Sequence, residues 1–141
     1  MDYIIVELDK TRDYSKHFEI MLKTKYGYQP VMTWHPSTGE HPKMFDNKDD
    51  AEKFVNDNRS NIKDKLKVDL GSYQIVFVPK DGKYVQHFEL IEVGFFSIKV
   101  VQSSHPITGD RAMMFDSWKE TKDKIFEIKP NESNSKKKLK F

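Results

Sequence analysis

The chain has 141 residues, 37% apolar and 33% charged, with 24 basic against 22 acidic side chains and no cysteine. That length suits one domain or two packed halves, and ten Phe, six Tyr and two Trp are enough for a core. Without cysteine there are no disulfides, thiolate metal sites or Cys nucleophile. The net charge of +2 does not make a polyanion-binding body, because Lys136, Lys137, Lys138 and Lys140 alone contribute four positive charges and leave the rest slightly acidic.

The first element expected is a short apolar strand over residues 3–8, rich in Ile and Val as in a strand buried on both faces. No charged leader precedes it and no apolar run approaches the roughly 18 to 20 residues of a membrane span. The expectation is therefore a cytoplasmic protein without a membrane partner. A half-buried strand follows, in which Phe18, Ile20 and Leu22 alternate with His17, Glu19 and Met21. A third strand is expected from Tyr28 to Trp34. It ends in a Pro-x-Thr-Gly turn at His35-Pro36-Ser37-Thr38-Gly39 and a short fourth strand ending at Phe45. Asp46 sits where a helix cap belongs, and Ala51, Phe54, Val55, Ile62 and Leu66 keep helical spacing after it, although the Asn-rich stretch at 56–58 can end the helix early.

The same order then starts again. Shifting the sequence by 70 residues lays Tyr3 to Asp46 on Tyr73 to Asp116 without a gap, and 16 of those 44 positions are identical. The matches include His17-Phe18-Glu19 on His87-Phe88-Glu89, His35-Pro36 on His105-Pro106, Thr38-Gly39 on Thr108-Gly109 and Met44-Phe45-Asp46 on Met114-Phe115-Asp116. A fixed-period self-match is the signature of one structural unit used twice. The expected fold is α+β: a tandem duplication of a four-stranded antiparallel β-meander followed by one helix, with the two copies packed together. The expected units are 1–70 and 71–129. In the second copy Asp81-Gly82 marks a hairpin, a third strand spans Phe95 to Ser103, and Asp116 caps a helix carrying Trp118, Ile125 and Ile128. Residues 130–141 lack apolar periodicity and read as a flexible lysine-rich tail.

Four kinds of residue could carry function. His17, Glu19, His87 and Glu89 would bind a divalent metal or serve as acid and base if the two copies brought them together. His35 and His105 form a repeated His-x-x-Thr, which departs in spacing from the His-x-Ser/Thr pairs of two-histidine phosphoesterases, since Ile107 stands where that pattern needs a hydroxyl. Exposed aromatics, Tyr26, Tyr28 and Trp34 with Phe95, Phe96 and Trp118, suit a protein interface. With Lys23, Lys25 and Lys99, and the tail lysines 136, 137, 138 and 140, they would suit nucleic acid instead. No phosphate loop, nucleophile elbow, zinc motif or dinucleotide fingerprint is present. The reading that follows is a small non-enzymatic binding protein with no cofactor and a macromolecular partner, more readily protein than nucleic acid. Its composition is of the kind found in phage accessory proteins, which makes an inhibitor or modulator of a host system the expectation. A nucleic-acid-binding module and a His/Glu-based metal-dependent hydrolase are the alternatives.

Overall fold

The computed structural model describes residues 2–139 apart from Thr108, and their side chains except those of Ser104, His105 and residues 129–139. The protein is α+β, with every strand pair antiparallel and two α-helices. No helix among the described residues is long and apolar enough to cross a membrane. Strands β1 (Tyr3–Leu8), β2 (His17–Thr24), β3 (Gly27–Pro30), β6 (Tyr73–Val78), β7 (His87–Val93) and β8 (Ile98–Val100) form one six-stranded sheet in that spatial order. Two ribbons stand apart from it, β4 (Met32–His35) with β5 (Gly39–Pro42), and β9 (Gln102–His105) with β10 (Gly109–Ala112).

The third strand expected in each half is divided in two. Val31 donates its N–H to the Ile20 carbonyl in the sheet, and its own carbonyl accepts from Lys43 at the base of the first ribbon, both at 2.9 Å. It is thus the joint at which the chain leaves the sheet. Val101 does the same, donating to Leu90 at 2.8 Å and accepting from Met113 at 3.1 Å. Each chain then returns to the sheet, Phe45 pairing with Phe18 and Phe115 with Phe88. The ribbon turns close on Gly39 and Gly109, both at φ +74, a backbone region that side chains disfavour. Residues 95–97 belong to a turn, not to a strand, because Gly94 N–H bonds the Ser97 carbonyl at 2.7 Å and closes the β7–β8 hairpin there.

The strand pairings of the first half recur 70 residues later except Thr24↔Gly27, whose counterpart lies in the β7–β8 turn. Tyr3↔Leu22 becomes Tyr73↔Glu92, Lys23↔Tyr28 becomes Val93↔Ile98, and Met32↔Pro42 becomes Gln102↔Ala112. The halves meet where β3 pairs β6 at Tyr28↔Phe77.

Both helices are capped one residue later than expected. Asn47 accepts the Asp50 N–H at 2.8 Å and starts α1 (Lys48–Asp57), and Ser117 accepts the Glu120 N–H at 3.1 Å and starts α2 (Trp118–Leu139). Asp46 and Asp116 precede these caps, each in the bend between the pairing at Phe45 or Phe115 and the first helical turn. α1 stops at Asp57, where Asn58 donates to the Phe54 carbonyl from its backbone N–H at 3.1 Å and from its side-chain amide at 2.8 Å, and a 3₁₀ turn follows at Ile62–Leu66. The backbone of α2 runs on past Pro130, which removes one of its donors, so the stretch expected as a tail continues the helix as far as Leu139.

Side chains opposite each other in paired strands share a face. Tyr3, Ile5, Ile20 and Leu22 lie on one face and pack with Ala51, Val55 and Ile62 of the α1 region. Ile4, Met21, Tyr28, Phe77, Phe88, Ile75 and Leu90 lie on the other and pack with Trp118 and Ile125 of α2. The two helices therefore cover opposite faces. β2 is buried on both of its faces rather than half-buried, because α1 covers one and α2 the other. β1, expected to be buried on both faces, is an edge strand and stays mostly half-exposed.

Candidate functional site

His17 and Glu19 form a buried pair. The ring Nδ1 lies 2.6 Å from the Ser15 carbonyl, which only accepts, so Nδ1 carries a hydrogen. Nε2 lies 2.6 Å from Glu19 Oε2, and this contact holds one proton whichever atom is assigned it. Burial pushes the Glu19 carboxyl up, opposed by the hydrogen bond and charge of His17 and the charge of His41. Burial alone would depress His17, but its hydrogen bonds to Glu19 and Ser15 outweigh that and raise it. Both shifts describe a pair that retains its shared proton. Glu19 Oε1 is buried with no hydrogen-bond partner among the described residues.

His87 and Glu89 repeat the geometry, with Nδ1 2.7 Å from the Val85 carbonyl and Nε2 2.6 Å from Oε2. The two pairs do not meet. Val6↔Glu19 and Leu8↔His17 put the first pair on the α2 face, whereas Val76↔Glu89 and Val78↔His87 put the second on the α1 face. The joint metal or acid–base site expected from His17, Glu19, His87 and Glu89 is thus ruled out by the register through β3 and β6, which exchanges the faces of matched residues. No group of three or more metal-ligating side chains occurs among the described residues.

A half-open cavity of about 410 Å³ lies between the β1–β2 loop, the first ribbon and α2, and Tyr14 in its wall meets the His17 ring edge-on with centroids 6.0 Å apart. Asp13 and Tyr14, then His35, Glu40, His41 and Met44, and finally Trp118, Lys119, Lys122, Asp123 and Phe126 line it. Lys119 Nζ lies 3.2 Å from Asp123 and 3.7 Å from Asp13, Lys122 Nζ sits 5.3 Å over the Trp118 ring, and Asp13 Oδ2 is buried with no hydrogen-bond partner among the described residues. Burial and the carboxylates of Glu19, Asp13 and Asp123 push the Tyr14 phenol up. His35 Nδ1 accepts from the Ser37 N–H at 3.2 Å, an arrangement internal to the ribbon turn. The side chain of His105 and all of Thr108 lie outside the described residues.

The expected aromatic residues separate. Trp118 is 3% exposed and belongs to the core under α2, and Tyr28 is half-buried on the same cluster. No signal in its own neighbourhood distinguished Trp118 from the exposed rings, and it is the packing of α2 on the sheet that puts it inside. Trp34 stands exposed on the first ribbon. Phe95 and Phe96 are 93% and 94% exposed on the β7–β8 turn, with ring centroids 4.6 Å apart at nearly right angles. Tyr26 and Lys25, from the β2–β3 turn, border the same surface groove as Phe95, Phe96 and Ile98.

The lysines do not form one face. Lys23 Nζ lies 4.9 Å from the Tyr28 ring centroid and Lys25 Nζ 5.0 Å from that of Tyr26, so both are engaged within the protein, while Lys99 is exposed on β8. The side chains of Lys136, Lys137 and Lys138, and all of Lys140, lie outside the described residues.

Sequence reasoning missed the apolar character of the β8 edge. Ile98 is 56% and Val100 37% exposed, and Ile98 borders the same groove as Phe95 and Phe96. The signal was in the repeat: Ile98 and Val100 stand where Tyr28 and Pro30 stand in β3, and β8 ends the sheet among the described residues, whereas β3 is followed by β6. The chain matches no protein-family model, no curated protein and no solved structure.

Proposed function

We propose that this protein is a tandem duplication of a β-meander-plus-helix unit and works as a non-enzymatic module that binds another protein through its β7–β8 end. The recurrence of the strand pairings 70 residues on supports the duplication. The observation that carries the binding reading is the pair Phe95 and Phe96, each more than nine-tenths exposed, beside the exposed Ile98 and Val100. Large apolar side chains gathered at one place on a surface mark interaction sites, because leaving a Phe in water forgoes about 1.5 to 3 kcal/mol that burial would return. Aromatic anchors of this kind supply most of the affinity of protein interfaces. A role as an inhibitor or modulator of a host system, of the phage-accessory type, is the biological setting proposed for it.

The test is affinity capture from bacterial lysate with the wild-type protein and with a Phe95→Ser/Phe96→Ser double variant of unchanged circular dichroism. A stoichiometric protein partner that survives nuclease and high salt, and that the variant loses, is the expected result. Equal capture by both proteins, or recovery of nucleic acid that high salt removes, would sink the reading.

A further inference from the structure

The outer edge of β8 matches an edge that is already occupied elsewhere in the chain. β3 and β8 occupy equivalent places: Met21↔Pro30 and Lys23↔Tyr28 in the first half become Ile91↔Val100 and Val93↔Ile98 in the second. In an antiparallel pair, alternate residues turn their N–H and C=O groups to opposite sides. Lys23 donates toward β1, to the Asp2 carbonyl at 3.0 Å, so Tyr28 opposite it faces away from β2 and pairs with Phe77 of β6. Val93 likewise donates away from β8, to the Ser72 carbonyl at 2.7 Å, and Val101 donates inward to Leu90. Ile98 and Val100 therefore turn their backbone groups outward, and no strand among the described residues pairs with them.

Two sequence differences make this edge more receptive than β3. Pro30 has no N–H and ends the β3–β6 ladder, whereas Val100 in the same place supplies a donor. Gln29 is replaced by Lys99, which faces Glu92 across β7 and is exposed. Lys99 also decides against a second copy as the occupant. Two β8 edges paired so that the outward groups of both Ile98 and Val100 are met would set Lys99 opposite Lys99, and like charges directly opposed are unfavourable.

We infer that the outer edge of β8 is a strand-addition site that takes an extended segment of another protein with an acidic residue between two apolar ones. This rests on the protein-binding reading above and adds the mode and chemistry of the partner. The apolar residues pair with Ile98 and Val100 and share their face of the sheet, and the acidic residue lies opposite Lys99 on the other face. Main-chain bonds to the edge supply affinity, and alternate side chains supply selectivity.

The probe is a blocked Thr-Val-Glu-Val-Thr peptide at millimolar concentration, with amide exchange of the full chain followed by NMR. Saturable slowing of the Ile98 and Val100 amides is expected, with a Thr-Val-Lys-Val-Thr peptide weaker by about fivefold and binding lost in Val100→Pro. That variant places in β8 the residue β3 already holds, so it removes the outward donor without a foreign backbone demand. Absence of saturable slowing at Ile98 and Val100 would overturn the site. Shifts confined to Phe95 and Phe96 and unchanged in Val100→Pro would overturn strand addition while leaving the protein-binding reading standing. Slowing that depends on protein concentration without peptide, together with a two-chain mass, would make the occupant a second copy and overturn the foreign strand. The Phe95→Ser/Phe96→Ser capture fails independently of all three.

Discussion

His17 and His87 each hold the glutamate two residues on at 2.6 Å through Nε2, and the two rings point to opposite faces of one sheet. What recurs 70 residues on is a local device, not a joint site. The local device is a histidine fixed by a backbone carbonyl on one nitrogen and a carboxylate on the other, which lets a polar side chain enter the sheet interior with its hydrogen bonds met. The two copies differ in cover: the Glu19 side chain is 3% exposed, whereas that of Glu89 is 19% exposed.

The folded protein should lose stability as pH rises above about 6.5. His17 and Glu19 share one proton when folded, and both groups are raised above their ordinary values. Glu19, raised above its unfolded value of about 4.3, binds its proton more tightly when folded, so stability already falls where the folded carboxyl titrates, and the proton shared with His17 adds its own loss higher up. Above about 6.5 the unfolded chain releases that proton and the folded one keeps it. Stability then falls by up to about 1.4 kcal/mol per pH unit until the folded pair titrates as well. Urea unfolding at several pH values between 5 and 9 measures this, and the decline should be much reduced in His17→Gln. A flat profile in the wild type would show that the pair does not hold its proton.

Removing a carboxylate from the two pairs should not cost the same. Glu19→Ala leaves a nearly buried imidazole nitrogen without its partner, at about 1 to 3 kcal/mol. Glu89→Ala lets water reach His87 through the more open side and should cost less than half as much. Chemical denaturation of both single variants gives the comparison, and equal losses would mean that burial does not set the difference.

The fold was legible where local chemistry and the repeat agreed. The alternation at His17 to Leu22, the Pro-x-Thr-Gly turns and the helix following Asp46 all follow from side-chain spacing and turn residues. The division of the third strand at Val31 was not, because a valine that bonds the sheet through its N–H and a ribbon through its carbonyl has the same strand propensity as any other. The fate of the duplicated histidines was also hidden. It depends on whether β3 and β6 pair in a register that preserves or exchanges faces, and a single pairing, Tyr28↔Phe77, decides it. Trp118 and Phe95 look alike in sequence, and only the tertiary position of α2 separates a core ring from an exposed one.

The two helix caps offer a matched pair of probes. Asn47 and Ser117 occupy equivalent positions, and each side chain takes one first-turn N–H. Asn47→Ala and Ser117→Ala should each cost about 1 kcal/mol. Asp46→Ala and Asp116→Ala should change stability by much less, since the caps lie one residue beyond them. Thermal unfolding of the four variants separates these assignments, and a larger loss at Asp46 than at Asn47 would contradict the cap geometry.

Amide exchange in the protein alone should read out the edge residue by residue. The N–H of Lys99 faces β7 and that of Val101 bonds the Leu90 carbonyl, whereas those of Ile98 and Val100 face outward. Protection should therefore alternate along residues 98–101, low, high, low, high. Tyr28, equivalent to Ile98 but paired with Phe77 of β6, should be protected where Ile98 is not. Exchange of inward amides requires the hairpin to open, while outward ones exchange from the closed sheet, so the contrast persists at any overall stability. Uniform protection across residues 98–101 in dilute protein would mean that the edge is already covered within the chain, and the binding end would have to be sought elsewhere.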